Sequence, residues 1–211
     1  MAYTFDKWSR RVKYRSDLSG HLYHLTKKVT DKEGKTIMTA TEVLIKIIKE
    51  RKLIGSSTEK GFIVGERKAV CFQDTPIYSL TQNIVHENAF REELGGKVRY
   101  VSVGLAFSKP YIFNHGGRPV FYESTEKGKR ILQDTDWWRI VDFDLSDKNN
   151  IVDWTHEREW RIPVEESFDF DLSKATIVVP NQASYVKLLE GLPLEDIKSV
   201  LGIVQTSLLI Y

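Results

Sequence analysis

His156-Glu157-Arg158-Glu159-Trp160-Arg161-Ile162-Pro163-Val164 is the stretch that decides how this chain reads. It follows Asp153-Trp154-Thr155 and passes from charged residues into an apolar run. The pattern predicts a strand over residues 159–163. Residues two apart on a strand share a face, so Glu157 and Glu159 are expected side by side, flanked by arginines and a tryptophan. Like carboxylates held that close repel each other. A fold that keeps them reserves them for chemistry or ties them to Arg158 or Arg161.

The segments before this stretch read as follows. Leu22-Tyr23-His24-Leu25-Thr26 is a short strand, and Lys27 to Lys35 a polar linker with a turn at Asp31-Lys32-Glu33-Gly34. Thr41 is positioned to cap a helix whose apolar stripe is Val43, Leu44, Ile47 and Ile48, with Gly55 ending it or the following turn. Ala69 to Phe72 is a buried strand. Pro76 opens a helix over residues 77–89, capped by Asp74 or Thr75.

Strands dominate the later chain: residues 98–107, with Val101, Val103 and Leu105 alternating, and residues 138–145, with Arg139, Val141, Phe143 and Leu145 on one face. A turn at Asn114-His115-Gly116-Gly117 precedes Pro119-Val120-Phe121-Tyr122, and helical spacing covers residues 126–134. Residues 175–179, 199–204 and 208–210 are further strands, and residues 185–190 a short helix. Helices early and strands late give an α+β class. No repeat and no Pro/Gly/Ser-rich linker divides the chain, so one domain over residues 1–211 is expected.

The 211 residues, 41% hydrophobic and 28% charged, suffice for a packed core. Net charge is only +2, but it is unevenly spread. Residues 1–20 form a basic arm in which Lys7, Arg10, Arg11, Lys13 and Arg15 alternate with Trp8 and Tyr14. That composition suits a phosphate backbone and stacked bases; a solvated terminal arm has the same composition. The single cysteine, Cys71, excludes a disulfide framework and points to a reducing compartment. With no leader-like apolar segment and no run of 18 apolar residues, the expectation is a cytoplasmic protein with no membrane partner.

Nucleotide-binding glycine motifs and a nucleophile elbow are absent. The histidines are scattered, so no metal is expected. Paired carboxylates suit an electron-poor sugar carbon. Glycosidase carboxylates come from separate segments, whereas these adjoin. Adjacent glutamates better fit one that grips a ribose hydroxyl and a neighbour that orients an acceptor, with a leaving group such as the nicotinamide of NAD.

The ordered set Tyr23-His24-Leu25-Thr26, the segment from Leu44 to Ile54, Cys71-Phe72-Gln73-Asp74-Thr75-Pro76-Ile77 and Glu159-Trp160-Arg161-Ile162 resembles the DarT-type ADP-ribosyltransferases. Thr176 to Pro180 and Leu208 to Tyr211 fit the closing strands. The resemblance implies a split β-sandwich of two small twisted sheets with flanking helices. It also implies NAD as co-substrate: His24 and Thr26 hold its ribose and nicotinamide ends, and Phe72 or Tyr78 stacks on the nicotinamide. Glu159 is then the catalytic glutamate and Glu157 an acceptor-side base. Trp154, Arg158 and Arg118 serve substrate binding, Arg118 as a phosphate clamp. The chain departs from the family at Asp74, where the family carries an arginine, leaving Arg67 as the nearest catalytic arginine.

The implied activity is mono-ADP-ribosyl transfer to a base of RNA or DNA, or to a protein side chain, by a toxin of bacterial anti-phage defence with an antitoxin partner. The alternatives are a non-catalytic module that binds NAD or nucleic acid, and a metal-dependent nuclease, which the lack of clustered acids disfavours.

Overall fold

The helix Ala40–Glu50 shows how local chemistry sets this fold. Thr39 Oγ1 accepts from the Glu42 amide, while the Glu42 carboxylate accepts from the Thr39 amide at 2.7 Å, a reciprocal cap worth about 1 kcal/mol. The Glu42 carboxyl is held down at about 2, chiefly by Lys187 and then by Thr39. The predicted stripe is borne out, with Leu44 and Ile48 fully buried. The predicted cap is corrected: Thr41 lies inside the first turn, and Thr39 caps because only it has glutamate three residues on. Arg51, in the left-handed region at φ 58°, ends the helix, rather than Gly55.

The computed structural model describes residues 2–59, 63–96 and 98–209. Along them run α1 (Phe5–Lys13), β1 (His21–Leu25), β2 (Val29–Thr30), β3 (Thr36–Met38), α2 (Ala40–Glu50) and β4 (Lys52–Ile54). Next come β5 (Lys68–Phe72), α3 (Ile77–Ala89), β6 (Gly104–Ser108), α4 (Lys109–Asn114), β7 (Arg118–Pro119), β8 (Phe121–Tyr122) and α5 (Thr125–Ile131). The chain continues through β9 (Ile140–Val141), β10 (Trp160–Val164), β11 (Ser167–Asp169), β12 (Ala175–Val179), α6 (Gln182–Gly191), α7 (Leu194–Ser199) and β13 (Gly202–Gln205). Short 3-10 turns cover Asp134–Arg139, Thr155–Glu157, Leu172–Lys174 and Thr206–Leu209. The class is α+β, as expected.

The chain divides into two compact units. One comprises Met1–Arg51, Thr75–Ser108 and Phe170–Tyr211. Its sheet has the order β1-β6-β12-β13, with β6 antiparallel to β1 and β12, and β12 parallel to β13. Tyr23, Leu80, Ile84, Tyr100, Ala106 and Val178 pack together in its core. Gly104 of β6 pairs with Leu25 of β1, and a Cβ there would collide with the His24 carbonyl. The other unit comprises Lys52–Asp74 and Lys109–Asp169. It holds a three-stranded antiparallel sheet, β5-β10-β7, the pair β4-β11 and the parallel pair β8-β9.

Several expectations are corrected. The basic arm is helical over Phe5–Lys13, with Thr4 as its cap. The polar linker supplies β2 and the predicted turn, where Gly34 has φ 84°, and β3 just beyond it closes a hairpin. The strand expected over residues 98–107 begins only at Gly104, because a tight bend joins the Val103 amide to the Val101 carbonyl at 2.7 Å. Residues 138–145 do not alternate: a 3-10 turn reaches Arg139, Ile140 and Val141 are both buried, and Leu145 is exposed. The α3 helix has the predicted bounds but no side-chain cap. Asp74 instead pairs with Lys109 at 2.7 Å. The α4 and α7 helices escaped the sequence reading. The α7 helix occupies the start of the strand expected over residues 199–204. Leu208 lies in a 3-10 turn, while Ile210 and Tyr211 fall outside the described residues.

Candidate functional site around Glu159

The site is built at the entry to β10. Asp153 Oδ1 accepts from the Thr155 amide at 2.8 Å and hydroxyl at 2.6 Å, which holds the Asp153 carboxyl below its usual range. This Asx turn leads into the Thr155–Glu157 turn, and Arg158 follows at φ 47°. For a side-chain-bearing residue that region costs about 1–2 kcal/mol. The chain then straightens at Trp160. The sequence reading is corrected here: Glu157 and Glu159 do not share a strand face, because Arg158 reverses the backbone between them. Glu157 belongs to the turn, and its carbonyl accepts from the Asp74 amide at 3.1 Å.

Glu159 is buried, 7% exposed, and its carboxylate is gripped by Arg161, itself only 2% exposed. Arg161 Nε donates to Oε1 at 2.8 Å and Nη2 to Oε2 at 3.2 Å. Arg161 Nη1 donates to the carbonyls of Trp138 at 2.7 Å and Ile140 at 3.1 Å, so the guanidinium is fixed on both sides. A planar bidentate pair of this kind orients a carboxylate far better than a single bond. The Glu159 amide donates to Tyr122 Oη at 2.8 Å. Burial, above all, pushes the Tyr122 phenol up to about 12. Cys71 stands opposite Arg161 in the β5-β10 register. Burial first and the negative Glu159 second raise its thiol well above the ordinary value, which makes it a poor nucleophile.

Beside this corner lie two acceptors, Gln73 Oε1 and Asp74 Oδ1, buried and without a hydrogen-bond partner among the described residues. Leaving such a group unpaired costs about 1–3 kcal/mol, so the corner suits a group bearing hydroxyl or amide donors.

The other expected site residues are placed as follows. Phe72, in β5, is buried in the core, so its ring has no open face. Tyr78 is 55% exposed on the first turn of α3. Arg67 is exposed just ahead of β5. Arg118 stacks over the Phe113 ring at 4.0 Å and donates to the Phe113 and Gly117 carbonyls, so local contacts occupy it. Trp154 is half-buried with its ring 6.1 Å from His156, and Arg158 is exposed. His24 is half-buried in β1. Thr26 is buried, and its hydroxyl lies 3.1 Å from both the Ala40 and Val103 carbonyls, tying three segments together. In the unit that carries β10 the fold thus gathers Glu159, Glu157, Arg161, Tyr122, Cys71, Gln73 and Asp74. His24, Thr26 and Tyr78 belong to the other unit.

Sequence reasoning named Arg161 only as a salt-bridge partner and missed Tyr122 altogether. The clue to Arg161 was its i+2 spacing from Glu159; nothing in the sequence links Tyr122 to a residue 37 positions away. Among the described residues no three His, Cys, Asp or Glu side chains converge as metal ligands, and no helix is long and apolar enough to cross a membrane. No family model, curated protein or solved structure matches the chain.

Proposed function

We propose that this chain is an NAD-dependent mono-ADP-ribosyltransferase of the split β-sandwich type, with Glu159 as the catalytic carboxylate and a nucleic-acid base as acceptor. The observation that carries the reading is the Glu159 carboxylate, buried at the entry to β10 and oriented by two bonds from Arg161. A carboxylate oxygen has more than one lone pair. Glu159 therefore keeps capacity to accept a ribose hydroxyl while Arg161 holds it. The fixed negative charge stabilises the cationic sugar carbon as the bond to nicotinamide breaks. The electron pair of that bond leaves with neutral nicotinamide. An acceptor nitrogen or oxygen attacks the same carbon, and its proton passes to Glu157 or to water. The unpaired acceptors of Gln73 and Asp74 suit the donor groups of such a substrate. The ordered resemblance of the strand and helix segments supports the same assignment. It extends to a role as a defence toxin restrained by an antitoxin.

A second reading draws on the same pair. Both Glu159 oxygens are engaged by Arg161, as in a purely structural tie, and that favours a non-catalytic module that binds NAD or nucleic acid. The experiment is incubation of purified protein with labelled NAD and, separately, DNA, RNA or cell lysate. Transfer of label to nucleic acid, with matching nicotinamide release, is expected. Label on protein alone would move the acceptor class. NAD binding without nicotinamide release from any mixture would establish the second reading.

A further inference from the structure

The α1 helix divides cleanly into two faces. Phe5, Trp8, Ser9 and Val12 fall at i, i+3, i+4 and i+7, as do Lys7, Arg10, Arg11 and Tyr14 on the opposite side. The apolar face is partly used within the chain: the Phe5 and Trp8 rings lie 5.7 Å apart, Trp8 and Val12 are half-buried, and Val12 packs near Gly20. The cationic face is wholly exposed. Arg15 is engaged by Asp17. Among the described residues no carboxylate pairs with Lys7, Arg10, Arg11 or Lys13, and Asp6 is the one acid within the helix. Arg11 lies 5.2 Å over the Tyr3 ring, and Tyr14 is 85% exposed at the end of the cationic row.

We propose that this face of α1 binds single-stranded nucleic acid, with Lys7, Arg10 and Arg11 on successive phosphates and Tyr14 stacking on an unpaired base. Helix neighbours at these spacings lie about 5–6 Å apart, a row of cations to which a flexible phosphate chain conforms. A solvent-facing tyrosine beside that row supplies the stacking platform that single-strand binders combine with basic grooves. A duplex keeps its bases stacked and offers Tyr14 nothing to stack on. An anionic bilayer requires the apolar face to be free for insertion, and here that face is partly packed. The proposal extends the nucleic-acid acceptor reading by giving the acceptor a docking surface.

The test is fluorescence anisotropy, without NAD, on labelled single strands of about 12 nucleotides, matched duplexes and phosphatidylserine vesicles. Wild type is expected to prefer single strands. The triple variant Lys7→Ala/Arg10→Ala/Arg11→Ala is expected to bind them at least about tenfold more weakly, with the salt slope reduced by about 2. Tyr14→Ala is expected to lose about fivefold or more without changing the slope. Since α1 buries no residue, both variants keep the wild-type unfolding midpoint. Binding of the triple variant within twofold of wild type, or preference for duplex or vesicles, overturns the proposal. Because the assay contains no NAD and reads binding alone, failure here and failure of ADP-ribosyl transfer are read separately.

Discussion

The β1 segment and the entry to β10 carry the two halves of the motif set, and they obey their sequence pattern unequally. In β1 the pairing runs straight through: His21–Leu25 pairs with β6 residue by residue. At β10 the pairing with β5 begins only at Trp160, just after Arg158 takes up a left-handed conformation. The result is opposite fates for like residues. The Thr26 hydroxyl bonds the fold, to the Ala40 and Val103 carbonyls. Glu159 and Glu157, expected to be equivalent in orientation, become a buried paired carboxylate and a turn residue. Position relative to the Arg158 reversal, rather than residue type, decides which of the two glutamates is buried.

The largest test breaks the β10 corner. Arg161→Met strands the buried Glu159 charge and is expected to cost about 3–5 kcal/mol of unfolding free energy. The double variant Glu159→Leu/Arg161→Met removes that charge and should recover much of the loss. The remainder reflects the Trp138 and Ile140 carbonyls left without their donor. Denaturant titration of the two variants measures the difference. If they are equally destabilised, the pair is not the tie described.

Thr26→Val probes the contrasting segment and is expected to cost about 1 kcal/mol, since the hydroxyl bonds to the Ala40 and Val103 carbonyls are lost while the Thr26 amide still donates to Val103 at 2.7 Å. An unchanged unfolding midpoint would return Thr26 to ligand binding alone. The smallest effect falls at the reversal. Arg158→Gly is expected to stabilise by up to about 1 kcal/mol, because glycine enters the left-handed region without penalty. In a regular strand the same change would destabilise, so thermal unfolding of this variant distinguishes the two backbones.

Much of the framework was legible because it rests on apolar periodicity. Leu44 and Ile48 on α2, Ala69 to Phe72 in β5 and Ala175 to Val179 in β12 announce their burial in sequence. The rest depended on contacts that periodicity does not encode. The 3-10 turn before Ile140, the bend at Val101–Val103 and the reversal at Arg158 are set by backbone and capping bonds. The candidate site was half visible: Glu159 and Arg161 stand out by spacing, whereas Tyr122, Gln73 and Asp74 join them only through tertiary placement.

Nicotinamide release from NAD by wild type, Glu159→Gln and Glu157→Gln, each with single-stranded nucleic acid present, tests the central claim most directly. Loss of a preorganised charge at the reacting carbon predicts a drop of about 100-fold or more for Glu159→Gln. For Glu157→Gln, outside the β10 pair, a smaller drop is expected, with residual turnover well above that of Glu159→Gln. Equal turnover by wild type and Glu159→Gln, or no turnover by wild type, would contradict it.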